Sequence, residues 1–126
     1  MDSQEIAAKI SQLALAKKGN DIIIMDLKTI SDVTDFFVII TCGSDLHVKT
    51  IANYIEDELK KEKVRVWHKE GYGKLNWVLL DYVDVVAHIF RRETRDYYGL
   101  EKLWADAKII KVEDDAEHRI LSQSTN

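Results

Sequence analysis

Residues 36–44 read FFVIITCGS, and this stretch decides the fold class. Residues 36–42 are β-branched, aromatic and almost wholly apolar, which is typical of a strand covered on both faces of a sheet. Gly43 closes this strand, and Ser44 is a residue type that commonly caps the N-terminus of a helix. The stretch therefore predicts a buried strand that leads directly into a helix, as in an α/β fold.

The N-terminal segment is predicted to be a helix followed by a short strand. Asp2 and Glu5 have the spacing of a capping box, in which each side chain accepts a hydrogen bond from the other residue's backbone. Apolar residues then recur at helical spacing up to Lys17, and Gly19 stands where a glycine commonly ends a helix. The apolar run 22–25 predicts a short buried strand.

After Ser44 the chain is predicted to form a second helix, a strand and a hairpin. The apolar residues that share one face of this helix are Val48, Ile51, Ala52, Ile55 and Leu59. Strand–helix–strand order implies a right-handed crossover, so a parallel neighbour of the buried strand is expected at residues 64–67. Two apolar runs, 77–82 and 84–90, follow each other too closely for anything but a hairpin.

The C-terminal part is predicted to be helical and then irregular. The residues that favour a helix here are Arg95, Tyr98, Leu100, Leu103 and Trp104. The predicted fold class is therefore α/β, with a mixed sheet and helices packed on it. No proline or low-complexity linker interrupts the chain, so residues 1–113 are predicted to form a single domain and residues 114–126 a flexible tail.

Composition narrows the class of protein. A chain of 126 residues, 46% of them hydrophobic, can close one core. Its formal net charge of −4 disfavours direct, sequence-specific binding to RNA or DNA and favours a basic protein partner. Cys42 is the only cysteine, which predicts a reducing, cytoplasmic location. The apolar runs are too short to cross a bilayer and no secretory signal is recognised, so no membrane association is expected.

The predicted hairpin has two very different faces. If Tyr82 and Val83 form a two-residue turn, Trp77 lies opposite His88. The core-facing side is wholly apolar and consists of Val78, Leu80, Val85, Ala87 and Ile89. The other side consists of Trp77, Leu79, Asp81, Asp84, Val86, His88 and Phe90. Aromatic side chains among polar groups are typical of protein interfaces, but a helix of the same chain could equally cover this side.

The sequence carries no complete catalytic motif. Ser44 lacks the second glycine of a nucleophile elbow, so a helix cap is the preferred interpretation. A nucleotidyltransferase needs two carboxylates on one face of the strand after this helix, and residues 64–68 contain none. Asp81 and Asp84 lie across a turn and do not supply that geometry. The four histidines lack metal-ligand spacing, so no catalytic residue, metal or cofactor is predicted.

Motifs spread from about residue 6 to residue 107 resemble those of one known family. They are Asp35 to Ile39, Gly43-Ser44, Glu70-Gly71, Trp77 to Tyr82, Asp84 to Val86, His88, Phe90, Glu93, Arg95, Tyr97-Tyr98, Leu100-Glu101, Leu103-Trp104 and Asp106-Ala107. In this order and at these spacings the chain resembles the ribosomal silencing factor family (RsfS, also called Iojap). It departs from the family at Val83, where glycine is usual, and at Tyr97, where phenylalanine is common.

The resemblance implies a nucleotidyltransferase-like fold that lacks the catalytic metal carboxylates and has no transferase activity. It implies a translational repressor that binds ribosomal protein L-fourteen on the large ribosomal subunit and sterically blocks joining of the small subunit. Organellar relatives are also linked to biogenesis of the large subunit. The residues expected to meet the ribosomal protein are Trp77, Leu79, Asp81, Tyr82, His88 and Tyr98.

The resemblance also suggests a role for individual residues. Trp77 and Leu79 are expected to be apolar anchors, and Asp81 is expected to pair with an Arg or Lys of the partner. His88, beside Trp77, is expected to have an orienting role or to form a hydrogen bond at the rim. The residues expected to pack the C-terminal helix on the sheet are Arg95, Leu100 and Trp104. Two rival functions remain open: a nucleotidyltransferase-like nucleotide-binding enzyme, and a homodimer that uses the mixed face as its own contact.

Overall fold

The structure, a computed structural model, describes residues 1–113; the tail expected at residues 114–126 lies outside the described residues. The elements are α1 (Ser3–Ala16), β1 (Asn20–Asp26), β2 (Phe36–Cys42), α2 (Asp45–Lys61), β3 (His68–Glu70), β4 (Trp77–Asp81), β5 (Val85–Arg91), α3 (Arg92–Tyr98), α4 (Leu100–Leu103) and β6 (Lys108–Val112). This order confirms the predicted α/β fold class. The single domain over residues 1–113 stays a prediction.

The strands form one mixed sheet in the order β3-β4-β5-β2-β1-β6. β2 and β5 are parallel, whereas the other neighbouring pairs are antiparallel. All of β2 except Phe37 is buried, as expected for an apolar central strand with packing on both faces.

Each face of the sheet has its own apolar core. The larger core lies beneath α1 and α2, and its buried side chains include Ile10, Val38, Ile40, Ile51, Ile55, Val78, Leu80, Ala87 and Ile89. The smaller core lies on the opposite face, and its buried side chains are Ile23, Met25, Leu27, Ile39, Phe90, Leu100 and Ala107. The apolar side of the predicted hairpin therefore faces the larger core, as expected.

The two ends of α1 depend on different physical effects. Asp2 Oδ1 accepts from the Glu5 N–H at 2.8 Å, and Glu5 Oε1 accepts from the Asp2 N–H at 3.1 Å, which confirms the capping box. The left-handed residue after the helix is Lys18, with φ of 65°, so the role predicted for Gly19 was wrong. A Cβ at Gly19 would lie 2.9 Å from Ile40 Cγ2, so glycine is needed there for close packing on β2.

The strand expected at residues 64–67 does not form. This segment is irregular, and the next strand, β3, begins only at His68 and pairs antiparallel with β4 at the edge of the sheet. The parallel neighbour of β2 is β5. The prediction was wrong because β5 is longer and almost wholly buried, so it occupies the centre of the sheet, whereas the exposed β3 suits an edge.

The hairpin between β4 and β5 forms with a register that differs from the prediction. Trp77 lies opposite Phe90 and not opposite His88. The turn is centred on Val83 and Asp84, with φ of 75° at Val83, an unusual conformation for a β-branched residue. The register is shifted by two residues, and an even shift leaves the side chains of both strands on their predicted faces, while Asp84 now lies in the turn. The predicted pairings were therefore wrong, but the two faces were assigned correctly.

The C-terminal segment is helical as predicted but is divided in two. Gly99 has φ of 54° and separates α3 from α4 by adopting the left-handed conformation. The chain then returns as β6, which pairs antiparallel with β1 and was not predicted. No helix within residues 1–113 combines the length and apolarity needed to cross a membrane.

Candidate protein-binding surface

The mixed face of the hairpin is covered over one strand and open over the other. The segment that contains α3 and α4 packs over β5 and β2, where His88 and Phe90 are buried. The β4 side chains on this face remain partly exposed. We define the open surface as Trp77, Leu79, Asp81 and Tyr98. Intramolecular cover therefore applies to β5, and an accessible surface applies to β4.

Trp77 is restrained by three neighbours. Its ring stacks on Phe90 with centroids 4.8 Å apart, and the Tyr98 ring lies against it at 4.8 Å. Its Nε1–H donates a hydrogen bond to Nδ1 of His88 at 3.1 Å. A partly exposed aromatic side chain that is already fixed loses little conformational freedom when a partner binds. Trp77 therefore has the properties of an interface anchor.

His88 lies beneath Trp77 and is uncharged. It is 4% exposed, and the rings of Phe37 and Phe90 lie 4.5 and 6.0 Å from its own. Burial lowers the pKa of His88 to about 3, because the imidazolium would be removed from water without a compensating charge. The hydrogen bond from Trp77 is the kind of contact that the expected orienting role requires. Burial leaves little of the His88 side chain for a contact with a partner at the rim of the surface.

We expect acid to destabilise the fold through His88. The unfolded chain protonates this residue near pH 6.5 but the folded chain only near pH 3, so between these values the unfolded state holds more protons and stability decreases as the pH is lowered. From pH 7 to pH 5 this contribution is about 2 kcal/mol. Chemical denaturation at both pH values should show a smaller loss for His88→Leu than for the wild type. Equal losses would contradict the burial of a neutral His88.

Carboxylates give the open surface a negative character. Asp81 lies opposite His68 of β3, and Leu79 lies opposite Glu70, so β3 continues the same face with a second carboxylate. His68 Nε2 and Glu70 Oε1 are 3.0 Å apart. Such a surface favours a positively charged partner. Sequence reasoning missed both β3 residues because it placed this strand too early in the chain.

The aromatic part of the open surface reaches α3 at Tyr98 and continues there to the neighbouring Tyr97. Tyr98 is 49% exposed and Tyr97 is 82% exposed, with their rings 5.0 Å apart. Together with Trp77 they form a continuous strip of rings from β4 to α3. Tyr97 was not among the predicted site residues, because the exposed side of a short helix depends on how the helix packs.

Tyr82 is separated from the open surface. Its side chain is 8% exposed and belongs to the larger core beneath α1 and α2. Side chains alternate along the strand and into its end, so Tyr82 points to the opposite face of the sheet from Asp81. The structure brings together all the predicted site residues except Tyr82.

Arg95 attaches α3 to the sheet. It is 5% exposed, and its Nη1 donates hydrogen bonds to the backbone oxygen of Asp21 and to Thr41 Oγ1, both at 2.6 Å. Its Nε and Nη2 donate to Oε2 of Glu101 at 3.3 and 3.2 Å. One guanidinium thereby connects β1, β2, α3 and α4, which confirms its predicted packing role. These bonds also set the position of Tyr98 beside β4.

The groups considered for catalysis have structural roles. Ser44 Oγ accepts a hydrogen bond from the His47 N–H at 3.1 Å, which confirms the helix cap. Burial raises the pKa of the Cys42 thiol to about 12, so the nucleophilic thiolate is disfavoured. In the part of the chain that the structure describes, no group of three or more His, Cys, Asp or Glu side chains could hold a metal ion.

The whole sequence, residues 1–126, matches a family model described as "Ribosomal silencing factor during starvation". The chain belongs to the RsfS family. RsfS from Bacillus subtilis is 40% identical over 97 residues, which cover 77% of this chain and 82% of that protein. RsfS from Halalkalibacterium halodurans is 34% identical over 113 residues, which cover 90% of this chain and 97% of that protein. These comparisons confirm the resemblance seen in the motifs.

Solved structures support the same family. A crystal structure of a Chromobacterium violaceum protein has a TM-score of 0.81 and 33% identity, with 92% of this chain and 97% of that chain covered. A crystal structure from Bacillus halodurans has a TM-score of 0.75 and 33% identity, with 89% and 100% covered. The mixed α/β sheet is therefore the RsfS fold. The curated RsfS relatives are named as silencing factors and not as enzymes.

Proposed function

We propose that this RsfS protein is a ribosome-associated translational repressor that binds ribosomal protein L-fourteen on the large subunit and blocks joining of the small subunit. The open surface is the observation that carries the proposal. It presents a restrained Trp77 beside Leu79, and the neighbouring Asp81 adds a carboxylate. Membership of a family named for ribosome silencing supports the ribosome as the target.

The charge of the open surface favours a basic protein partner. Asp81 and Glu70 lie on the same face, and the chain as a whole has a net charge of −4. Oδ1 of Asp81 accepts a hydrogen bond from the Val83 N–H at 2.7 Å, which holds the carboxylate in place. A fixed carboxylate can pair with an Arg or Lys of the partner and can orient its approach. Ribosomal proteins carry such side chains because they bind the phosphates of RNA.

Steric exclusion explains repression without any chemical step. A folded chain of this length has a radius of gyration of about 14 Å. Two surfaces in contact leave no gap of that size. One bound copy on the joining face would therefore keep the small subunit away. The effect is stoichiometric, and the structural roles of Ser44 and Cys42 agree with a factor that does not catalyse a reaction.

The proposal is tested with purified ribosomal subunits. We expect the protein to sediment with the large subunit, to be captured by isolated L-fourteen, and to lower the fraction of joined ribosomes in proportion to its occupancy. Leu46→Ala is a matched control for Leu79→Ala, because Leu46 is 72% exposed in α2, which packs on the opposite face of the sheet. Full occupancy with normal subunit joining would exclude the block, and failure to bind L-fourteen would exclude the partner.

Two further expectations belong to the same proposal. A homodimer that uses the open surface would be detected as concentration-dependent sedimentation of the isolated protein, and L-fourteen should dissociate it. The cytoplasmic location predicted from the sequence stays a prediction.

A further inference from the structure

The hydrogen bond between Trp77 and His88 determines the protonation pattern of both rings. The indole nitrogen can only donate, and it donates to His88 Nδ1 at 3.1 Å. A neutral imidazole has one proton, which must then lie on Nε2. That Nε2 is buried and has no hydrogen-bond partner among residues 1–113. Trp77 therefore selects the tautomer of His88 and leaves a buried donor unsatisfied.

Packing alone does not account for a histidine at this position. The rings around it belong to Phe37, Trp77 and Phe90, which would pack equally well against an apolar side chain. A buried N–H without an acceptor destabilises the fold, and leucine would avoid that penalty. Within the described residues, the hydrogen bond to Trp77 is the only one that the His88 side chain makes. Histidine therefore differs from an apolar residue at this position because it accepts a hydrogen bond from Trp77.

The hydrogen bond to His88 adds a directional restraint on the Trp77 indole to the restraint that ring packing provides. The last side-chain torsion of tryptophan is broad and has two preferred regions, which place the N–H edge on opposite sides of the Cβ–Cγ bond. The ring contacts with Phe90 and Tyr98 restrain the indole but supply no acceptor for its N–H. The acceptor at His88 is present on one side only, so it stabilises one orientation of the indole.

We propose that His88 is a positioning residue for partner binding: its Nδ1 holds the Trp77 indole in one orientation and occupies the N–H, so that the partner meets only ring carbons. The inference rests on the proposed function, since the partner is the basic ribosomal protein described above. The group that lies on Trp77 is then apolar or cationic and is not a hydrogen-bond acceptor. His88 acts through Trp77 and does not touch the partner.

The first test uses the free protein and requires no partner. Nitrogen-15 NMR is expected to show His88 with its proton on Nε2. The indole proton of Trp77 is expected to exchange with solvent more slowly than that of Trp67, a residue that is 72% exposed. A proton on Nδ1, or equally fast exchange of the two indoles, would overturn the proposal even if no variant folds.

The second test compares two variants that separate the acceptor from the volume of the side chain. His88→Leu retains the volume but removes the acceptor, whereas His88→Asn retains an acceptor near the Nδ1 position but leaves a larger void. We expect His88→Leu to bind L-fourteen about tenfold more weakly than wild type, and His88→Asn to retain more of the affinity. If packing alone mattered, the asparagine variant would be the weaker binder, and that order would overturn the proposal.

Trp77→Ala, measured alongside, distinguishes failure of the positioning role from failure of the proposed function. Loss of binding in Trp77→Ala with normal binding in His88→Leu would exclude the positioning role alone. Normal binding in both variants would exclude the open surface as the binding site, and the positioning role with it. Circular dichroism spectra of each variant establish that the fold is retained.

Discussion

Trp77→Ala is expected to weaken binding to the large ribosomal subunit by about thirtyfold, equivalent to about 2 kcal/mol. The substitution removes the largest apolar group of the open surface, together with its stacking on Phe90 and Tyr98. It also uncovers His88 Nδ1, which then lacks its donor. Co-sedimentation of the variant with large subunits, titrated over subunit concentration, measures the loss.

The control for Trp77→Ala separates binding from folding. Trp77 lies at the border of the smaller core, so some loss of stability is expected, but the larger core is untouched. Trp77→Phe retains a ring against Phe90 and should lose less affinity than alanine. Leu46→Ala should bind like the wild type. A folded Trp77→Ala protein that sediments with large subunits as the wild type does would remove Trp77 from the binding site.

Arg95→Ala is expected to give the largest loss of stability, about 3 kcal/mol, because it breaks a buried ionic network. The substitution leaves the Glu101 carboxylate without its counter-charge, and Oε1 of that residue is already buried and unsatisfied. It also removes the donor to Thr41 Oγ1 and to the Asp21 carbonyl. For a chain of this size the loss corresponds to a fall in melting temperature of about 11 °C.

Neighbouring variants show whether burial is the cause of the Arg95 effect. Arg92 forms ion pairs with Asp21 and Asp96, but its side chain is 45% exposed, so Arg92→Ala should cost less than about 1 kcal/mol. Arg95→Lys retains the positive charge but not the planar guanidinium group. Its loss of stability should lie between those of Arg95→Ala and Arg92→Ala. Denaturant unfolding of the three variants gives the order. An Arg95→Ala protein as stable as Arg92→Ala would contradict the bracing role.

The Arg95 variant also tests how the open surface depends on α3. Tyr98 reaches Trp77 because α3 is tied to the sheet, so loosening α3 should weaken subunit binding although Arg95 is buried. Binding that falls in proportion to the loss of α3 order, measured by hydrogen exchange, would support this dependence.

Three predictions based on neighbouring residues were confirmed, whereas the helix-ending role expected of Gly19 was not. The strand at residues 36–42, the capping box of Asp2 and the helix cap of Ser44 all involve groups a few positions apart, so composition and spacing were sufficient. The same holds for the two faces of the hairpin, since alternation requires only the order of the residues. The turn was misplaced by one residue because neither candidate pair, Tyr82-Val83 or Val83-Asp84, has the Asn-Gly or Asp-Gly sequence that marks a two-residue turn.

Residue order was therefore enough to assign the RsfS family, the α/β class and the mixed composition of the hairpin face, because each is expressed in motifs or periodicity along the chain. Long-range packing decided that β5 lies beside β2, that Tyr82 is buried, and that α3 covers His88 but leaves Trp77 partly open. These outcomes depend on which whole elements bury the most apolar surface together, and that competition involves residues far apart in the chain.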